Sequence, residues 1–165
     1  MLNIAQEVIK GLTLRGGQVA LETRKERLSG RQVVEYVSAL CDWFVELGMK
    51  PGDRVLLLND GDIYFPVFYL ALVQRRVVVV PSTTDGRNQF GAPYLTLRIQ
   101  PKFVISAEAG GKPFADIIPG CQYSIHPQTV VSDRVSNQLA ELNIAAIMFT
   151  SGTTGEPKGV LVSHQ

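Results

Sequence analysis

The chain is poor in the residues that most often give a function away. Its 165 residues include two cysteines, two histidines and one tryptophan. Two thiols are too few for a disulfide framework. Cys41 falls in a helical pattern and reads as a small buried hydrophobe, with no neighbouring signature of a reactive thiol. His126 and His164 have no cysteine or acidic partner at ligand spacing, so they read as solvated or structural and not as a metal site. An excess of charge of either sign is also lacking, because the formal net charge is +1. Bulk electrostatics therefore points to neither nucleic acid nor an anionic membrane. The longest apolar run, Ile63 to Val73, is too short to cross a bilayer. At the N-terminus Glu7 and Lys10 interrupt the apolar residues and no small-residue cleavage site follows, which excludes a secretory signal. These absences place the protein in the cytoplasm.

Apolar residues make up 45% of the chain and charged residues 19%, enough for a core and unlike a disordered segment. Ile4, Val8, Ile9 and Leu12 share one face of a short helix, expected to dock on the body of the protein. Ser29 and Gln32 stand at capping-box spacing. Val33, Val37, Leu40, Phe44 and Leu47 then recur with helical period, up to Gly48 as a C-terminal cap and Pro51 as a stop. The turn Pro51–Asp53 leads into the unbroken run Val55–Leu58, which suits a strand buried on both faces. A second unit repeats the pattern. Asn59, Asp60 and Gly61 make a turn and Asp62 caps a helix that carries Pro66 in its first turn. That helix is apolar nearly all round to Gln74, so it should be buried. A strand Val77–Val80 follows, ended by Pro81. Strand, helix and strand with short connections are the mark of an α/β domain built on a mostly parallel sheet with flanking helices.

Beyond a polar loop, Ser82–Asn88, Pro93 opens a short helix to Ile99, and Lys102–Ser106 reads as a strand. Gly110–Gly111 is a flexible turn. Tyr123–Ile125 reads as a short strand and His126–Asn137 as irregular chain. Asp116, Asp133 and Glu141 form no constellation. Trp43, Phe44, Tyr64, Phe65, Phe68 and Tyr69 have helical spacing without basic flanks, so they belong to the core and not to a base-stacking platform. Arg75 and Arg76 read as a solvated helix end, where cations suit the dipole.

The concentrated chemistry comes last. The apolar run Ile144–Phe149 delivers the chain into Thr-Ser-Gly-Thr-Thr-Gly-Glu-Pro-Lys-Gly, residues 150–159, and an apolar strand Gly159–Ser163 follows. Gly152 and Gly155 free the backbone, so that its N–H groups can line an anion-binding concavity. Thr150, Ser151, Thr153 and Thr154 add hydroxyls, and Lys158 adds a compact positive charge. A loop after a buried strand is a usual place for a phosphate in an α/β sheet. The NTPase P-loop is disfavoured, because Pro157 and Gly159 flank the lysine where that motif opens a helix.

Residues 150–159, continued by Val160 and His164, resemble the phosphate-loop signature of the adenylate-forming superfamily, which runs Thr-Ser-Gly-Ser/Thr-Thr-Gly-x-Pro-Lys-Gly. That group includes acyl- and aryl-CoA synthetases, adenylation domains of nonribosomal peptide synthetases, and firefly luciferase. More weakly, Gly48–Leu58 resembles the family's turn into its first core strand, and Phe68–Pro81 its next helix and strand. There the family has Lys-Ala-Gly and this chain has Gln74, Arg75 and Arg76. The resemblance implies ATP and Mg²⁺ as cofactors, with Thr150, Ser151, Gly152, Thr153, Thr154, Gly155 and Lys158 around the phosphates. It implies a carboxylic acid that is adenylated and then passed to coenzyme A or a carrier-protein thiol. It also implies that the adenine-binding segment, the acidic residues for ribose and metal, and the catalytic lysine lie downstream. Residues 1–165 are thus expected to form a partial N-terminal AMP-binding domain, ending just after the loop, with no catalytic residue of its own and no activity alone. Self-association through an exposed sheet edge is expected of such a piece. The alternative is a short non-catalytic protein of the same descent that binds a nucleotide or a partner.

Overall fold

The structure, a computed structural model, describes residues 3–59, 61–83, 91–107, 114, 116–129, 133–150 and 157–164. The capping box forms as its spacing predicts. Ser29 Oγ accepts from the Gln32 amide at 3.3 Å, while Gln32 Oε1 accepts from the Ser29 amide at 2.9 Å. The helix it opens, α2 (Gly30–Glu46), buries Val33, Val37, Leu40 and Phe44. It ends at Gly48, whose φ of 74° only glycine adopts without strain. Before it come α1 (Ile4–Leu14) and an antiparallel hairpin, β1 (Val19–Glu22) with β2 (Arg27–Ser29), which the sequence pattern did not reveal. Asn3 ties α1 down. Its Oδ1 accepts from the Ala5 amide, and its Nδ2 donates to the carbonyls of Val73 and Gln74. This clamp rotates α1 from its expected orientation: Ala5 is buried and Ile9 and Leu12 pack on the core, but Ile4 and Val8 face solvent.

The main sheet follows from β3 (Arg54–Asn59), α3 (Phe65–Gln74), β4 (Val78–Thr83), α4 (Ala92–Ile99), β5 (Phe103–Ala107), β6 (Tyr123–Pro127), α5 (Asp133–Glu141), β7 (Ile144–Thr150) and β8 (Lys158–Ser163). Its strands lie in the order β6-β5-β3-β4-β7-β8. Strands β5, β3, β4 and β7 run parallel, and β6 and β8 are antiparallel edges. The mostly parallel sheet with flanking helices is the architecture read from the sequence. Burial on both faces explains the unbroken runs in β3 and β4. Val55, Leu57 and Val79 face α1, α2 and α3 in the main core, whereas Leu56, Leu58 and Val80 face Leu95 and Ile99 of α4. The aromatic residues serve the core, as expected. Phe68 stacks on Tyr123 at 4.6 Å and meets the edge of Phe114 at 4.7 Å.

Three local readings are corrected. Pro81 does not end β4, which runs on to Thr83 with Pro81 beside Leu57. Strand β7 pairs with β4 only at Val79↔Ala146, so one edge of β4 needs no donor at Pro81. Residues 133–137 are helical: α5 seats Leu139 against Val78 and Ile144. Arg75 and Arg76 are half-buried, not a solvated end. Arg76 turns through a left-handed φ of 57°, its carbonyl accepts from the Gly52 amide at 2.8 Å, and its Nη1 lies 3.4 Å from Asn143 Oδ1. A left-handed φ of this kind costs a residue other than glycine about 1–2 kcal/mol.

Candidate functional site

Strand β3 hands the chain to α3 on one face of the sheet, and its neighbour β4 leads to α4 on the other. Connections that part to opposite faces leave a crevice at the carboxyl ends of the strands, the usual ligand position in an open α/β sheet. The last residues of β3 and β4 pair there, Leu58 with Ser82 and Asn59 with Thr83. Asn59 Oδ1 accepts from the Gly61 amide at 2.6 Å and turns the chain out of the sheet. Asp62 then sets the start of α3. Its Oδ1 accepts from the amides of Tyr64 and Phe65, and its Oδ2 accepts from the Tyr123 hydroxyl at 2.6 Å. Asp62 is therefore a satisfied structural carboxylate, as the turn chemistry predicts. Asp60 lies outside the described residues.

Strand β7, beside β4, ends at this same edge of the sheet with Thr150, and β8 returns from it with Lys158. The two residues are register partners, Thr150↔Lys158. Directly paired residues in an antiparallel ladder put their side chains on one face, with Cβ atoms about 5 Å apart. Thr150 and Lys158 thus leave the same face at the base of the loop, and both are exposed. Ser151, Gly152, Thr153, Thr154 and Gly155 lie outside the described residues. Gly159 has a steric reason to be glycine. A Cβ there would come within 3.2 Å of Ile147 Cγ2 and 3.4 Å of Phe149 Cζ. The bare backbone lets the Phe149 ring pack over Gly159, its register partner. A hydroxyl and a cation at the carboxyl end of a parallel strand fit an anionic phosphate. Among the described residues no group of three or more His, Cys, Asp or Glu side chains could hold a metal ion.

Elsewhere the scarce residues take structural places. Burial pushes the Cys41 thiol up to about 11 and the Cys121 thiol up to about 12, so neither is a ready nucleophile. His126 sits exposed on the edge strand β6, whereas His164, after β8, is 1% exposed. Among the described residues neither ring nitrogen of His164 has a hydrogen-bond partner. Desolvation, with the charge of Arg76, lowers its pKa below the ordinary 6.5.

Fold and loop together define an α/β nucleotide-binding domain of the adenylate-forming kind. The chain belongs to the AMP-binding enzyme family, whose pattern it matches over residues 12–165. It is 29% identical over 150 residues to the medium-chain fatty-acid–CoA ligase of Escherichia coli, covering 77% of this chain and 26% of that protein. It is 27% identical over 159 residues to the nonribosomal peptide synthetase inpB of Emericella nidulans, covering 91% of this chain and 7% of that one. The fold matches the N-terminal subdomain of Klebsiella oxytoca NpsA in complex with 3-hydroxyanthranilyl-AMSN, with a TM-score of 0.69, 22% identity, and coverage of 99% and 41% of the respective chains. Apo MatB from Rhodopseudomonas palustris gives 0.70, 21%, 99% and 35%. The chain thus spans less than half the length of these relatives. Among its described residues no helix is long and apolar enough to cross a membrane.

Proposed function

We propose that residues 1–165 are the phosphate-binding part of an ATP-dependent carboxylate-activating ligase. One observation carries this reading: the Thr150↔Lys158 pair closes the signature loop at the carboxyl end of β7, beside the crevice where β3 and β4 diverge. Thr150, Ser151, Thr153, Thr154 and Lys158, with the backbone at Gly152 and Gly155, would hold the β- and γ-phosphates, and Mg²⁺ would ride chiefly on the triphosphate. In the reaction a carboxylate oxygen bonds to the α-phosphorus and the bond to the bridging β-phosphate oxygen breaks, releasing pyrophosphate. A thiol of coenzyme A or a carrier protein then attacks the acyl carbon and AMP leaves. The loop's part is positioning and neutralising charge on the leaving pyrophosphate. A cytoplasmic location belongs to the same proposal, since ATP is drawn from that compartment.

The relatives' greater length supports a second element of the reading, that these residues alone form no acyl-adenylate. Carboxylate-dependent ATP–pyrophosphate exchange by the 165-residue chain would overturn it. Phosphate binding is tested by titrating the chain with a fluorescent ATP analogue and Mg²⁺. Loss of a charge-assisted hydrogen bond costs about 1.5–3 kcal/mol, so Lys158→Ala should weaken binding at least tenfold. Equal affinity in the two proteins would remove the assignment. Self-association is proposed through β8, an edge strand on which Val160, Leu161 and Val162 are 49%, 50% and 39% exposed.

A further inference from the structure

A groove runs along the outer side of α3, walled by Leu12 of α1, Leu21 of β1, and Phe65 and Tyr69 of α3. It encloses about 440 Å³, and beside Val8 and Ala20 it opens into a second cleft of about 540 Å³ between α1 and β1. The outer side of α1 forms the bank of this trough. The clamp at Asn3 turns Ile4 and Val8 of that helix to solvent, and Leu14 at its end is 81% exposed. Among the described residues α2, α4 and α5 each expose one large apolar side chain and α3 exposes none. Helix α1 exposes three, and Val19 of β1 adds a fourth across the cleft. A concentration of this kind marks an interaction surface.

The charges on the same side of α1 select the occupant. Ile4, Val8, Gly11 and Arg15 follow at i, i+4, i+7 and i+11, one stripe down the helix, with Glu7 on its flank. All five are exposed. Glu7 and Arg15 lie about 12 Å apart along the axis, beyond the reach of an i, i+4 pair. Among the described residues neither is in an ion pair. A two-fold axis that crosses the stripe between Val8 and Gly11 brings the two charges together between molecules. Two antiparallel α1 helices then set Val8 of each copy against Gly11 of the other, where nothing lies within 4 Å of an added Cβ. Ile4 meets the stem of the other copy's Arg15, and Glu7 stands within about one helical turn of that guanidinium. A parallel pair would set Glu7 beside Glu7 and Arg15 beside Arg15, a like-charge penalty that fixes the orientation. We propose that this face binds a second copy of the chain, as a symmetric dimer with α1 packed antiparallel on α1. The bare backbone at Gly11 lets the axes approach to about 8 Å. The 11-residue helix is about 16 Å long, so the contact is small and the dimer weak, with a Kd on the order of 10 µM. The proposal rests neither on nucleotide binding nor on β8.

Sedimentation equilibrium of the 165-residue chain carrying Leu161→Lys, which takes the edge strand β8 out of play, tests the contact. A monomer–dimer equilibrium is expected. Glu7→Arg and Arg15→Glu should each weaken it at least fivefold. The double variant exchanges the two charges and should restore the affinity to within twofold, an outcome that a nonspecific apolar contact would not give. Gly11→Leu adds apolar surface and favours the helix, yet it should weaken dimerisation at least tenfold by holding the two helices apart. The altered side chains are exposed in the monomer, and circular dichroism checks that each variant keeps its fold. A chain that stays monomeric well above the expected Kd overturns the proposal. So does a dimer that the single charge reversals leave intact, that the double reversal fails to restore, or that Gly11→Leu leaves unchanged or strengthens.

Discussion

Replacing Gly52 with alanine should be among the most damaging single-methyl changes in this protein. Gly52 sits at φ +81° in the turn before β3, directly beneath α5. Its amide donates to the Arg76 carbonyl at 2.8 Å, so the turn also holds the end of α3. A Cβ there would lie 1.9 Å from the Ser136 carbonyl oxygen and 2.9 Å from the Ala140 nitrogen. Both atoms belong to helix backbone and cannot swing aside as a side chain could. The left-handed conformation costs a non-glycine residue about 1–2 kcal/mol. Forcing α5 away adds the usual overpacking cost of about 1–3 kcal/mol. The total, about 2–5 kcal/mol, is a large share of the stability of a domain of this size. Gly48→Ala provides the control. Its φ is +74° but nothing lies within 4 Å of a new Cβ, so it should cost only the conformational term, about 1–2 kcal/mol. Urea denaturation followed by circular dichroism measures both. With an m-value of about 1–3 kcal/mol/M, Gly52→Ala should lower the midpoint by on the order of 2 M and Gly48→Ala by less than half as much. Equal losses in the two variants would refute the reasoning, because they would show that α5 does not press on Gly52.

His164 should make stability pH-dependent. Its folded pKa is depressed below 6.5, so the unfolded chain takes up a proton first and stability falls as pH drops from about 6.5 through the lowered folded value. His164→Gln should flatten the unfolding midpoint over that window, and an unchanged slope would count against the buried neutral imidazole. Leu161→Lys places a charge in the middle of the exposed edge strand β8. Light scattering should then show a smaller assembly than for the unaltered chain, and an unaltered chain that is already monomeric would dispose of self-association through β8.

Much of the fold was legible because it rests on local chemistry. The capping box at Ser29, the glycine stop at Gly48, the double-faced runs in β3 and β4 and the Asp62 turn each need only neighbours in the chain. The signature loop was legible for the same reason, since its hydroxyls, glycines and lysine are contiguous. Helix α5 was not, because its polar surface hides a narrow apolar stripe that acquires meaning only against Val78 and Ile144. The hairpin β1–β2 is likewise too short and too exposed to announce itself. Arg76 was misread because a solvated cation and a cation bent back on Asn143 look alike in one dimension.

The sequence by itself determined the class of domain and marked a loop whose hydroxyls, glycines and lysine suit an anion, because period, turn chemistry and residue type act over a few positions. Only the tertiary structure decided the order of the strands, and with it the placing of β7 beside β4 at the crevice. It alone paired Thr150 with Lys158, buried His164, and turned α1 to leave a groove along α3. Those outcomes depend on packing between segments tens of residues apart, where the choice is made by fit and burial and leaves no local mark.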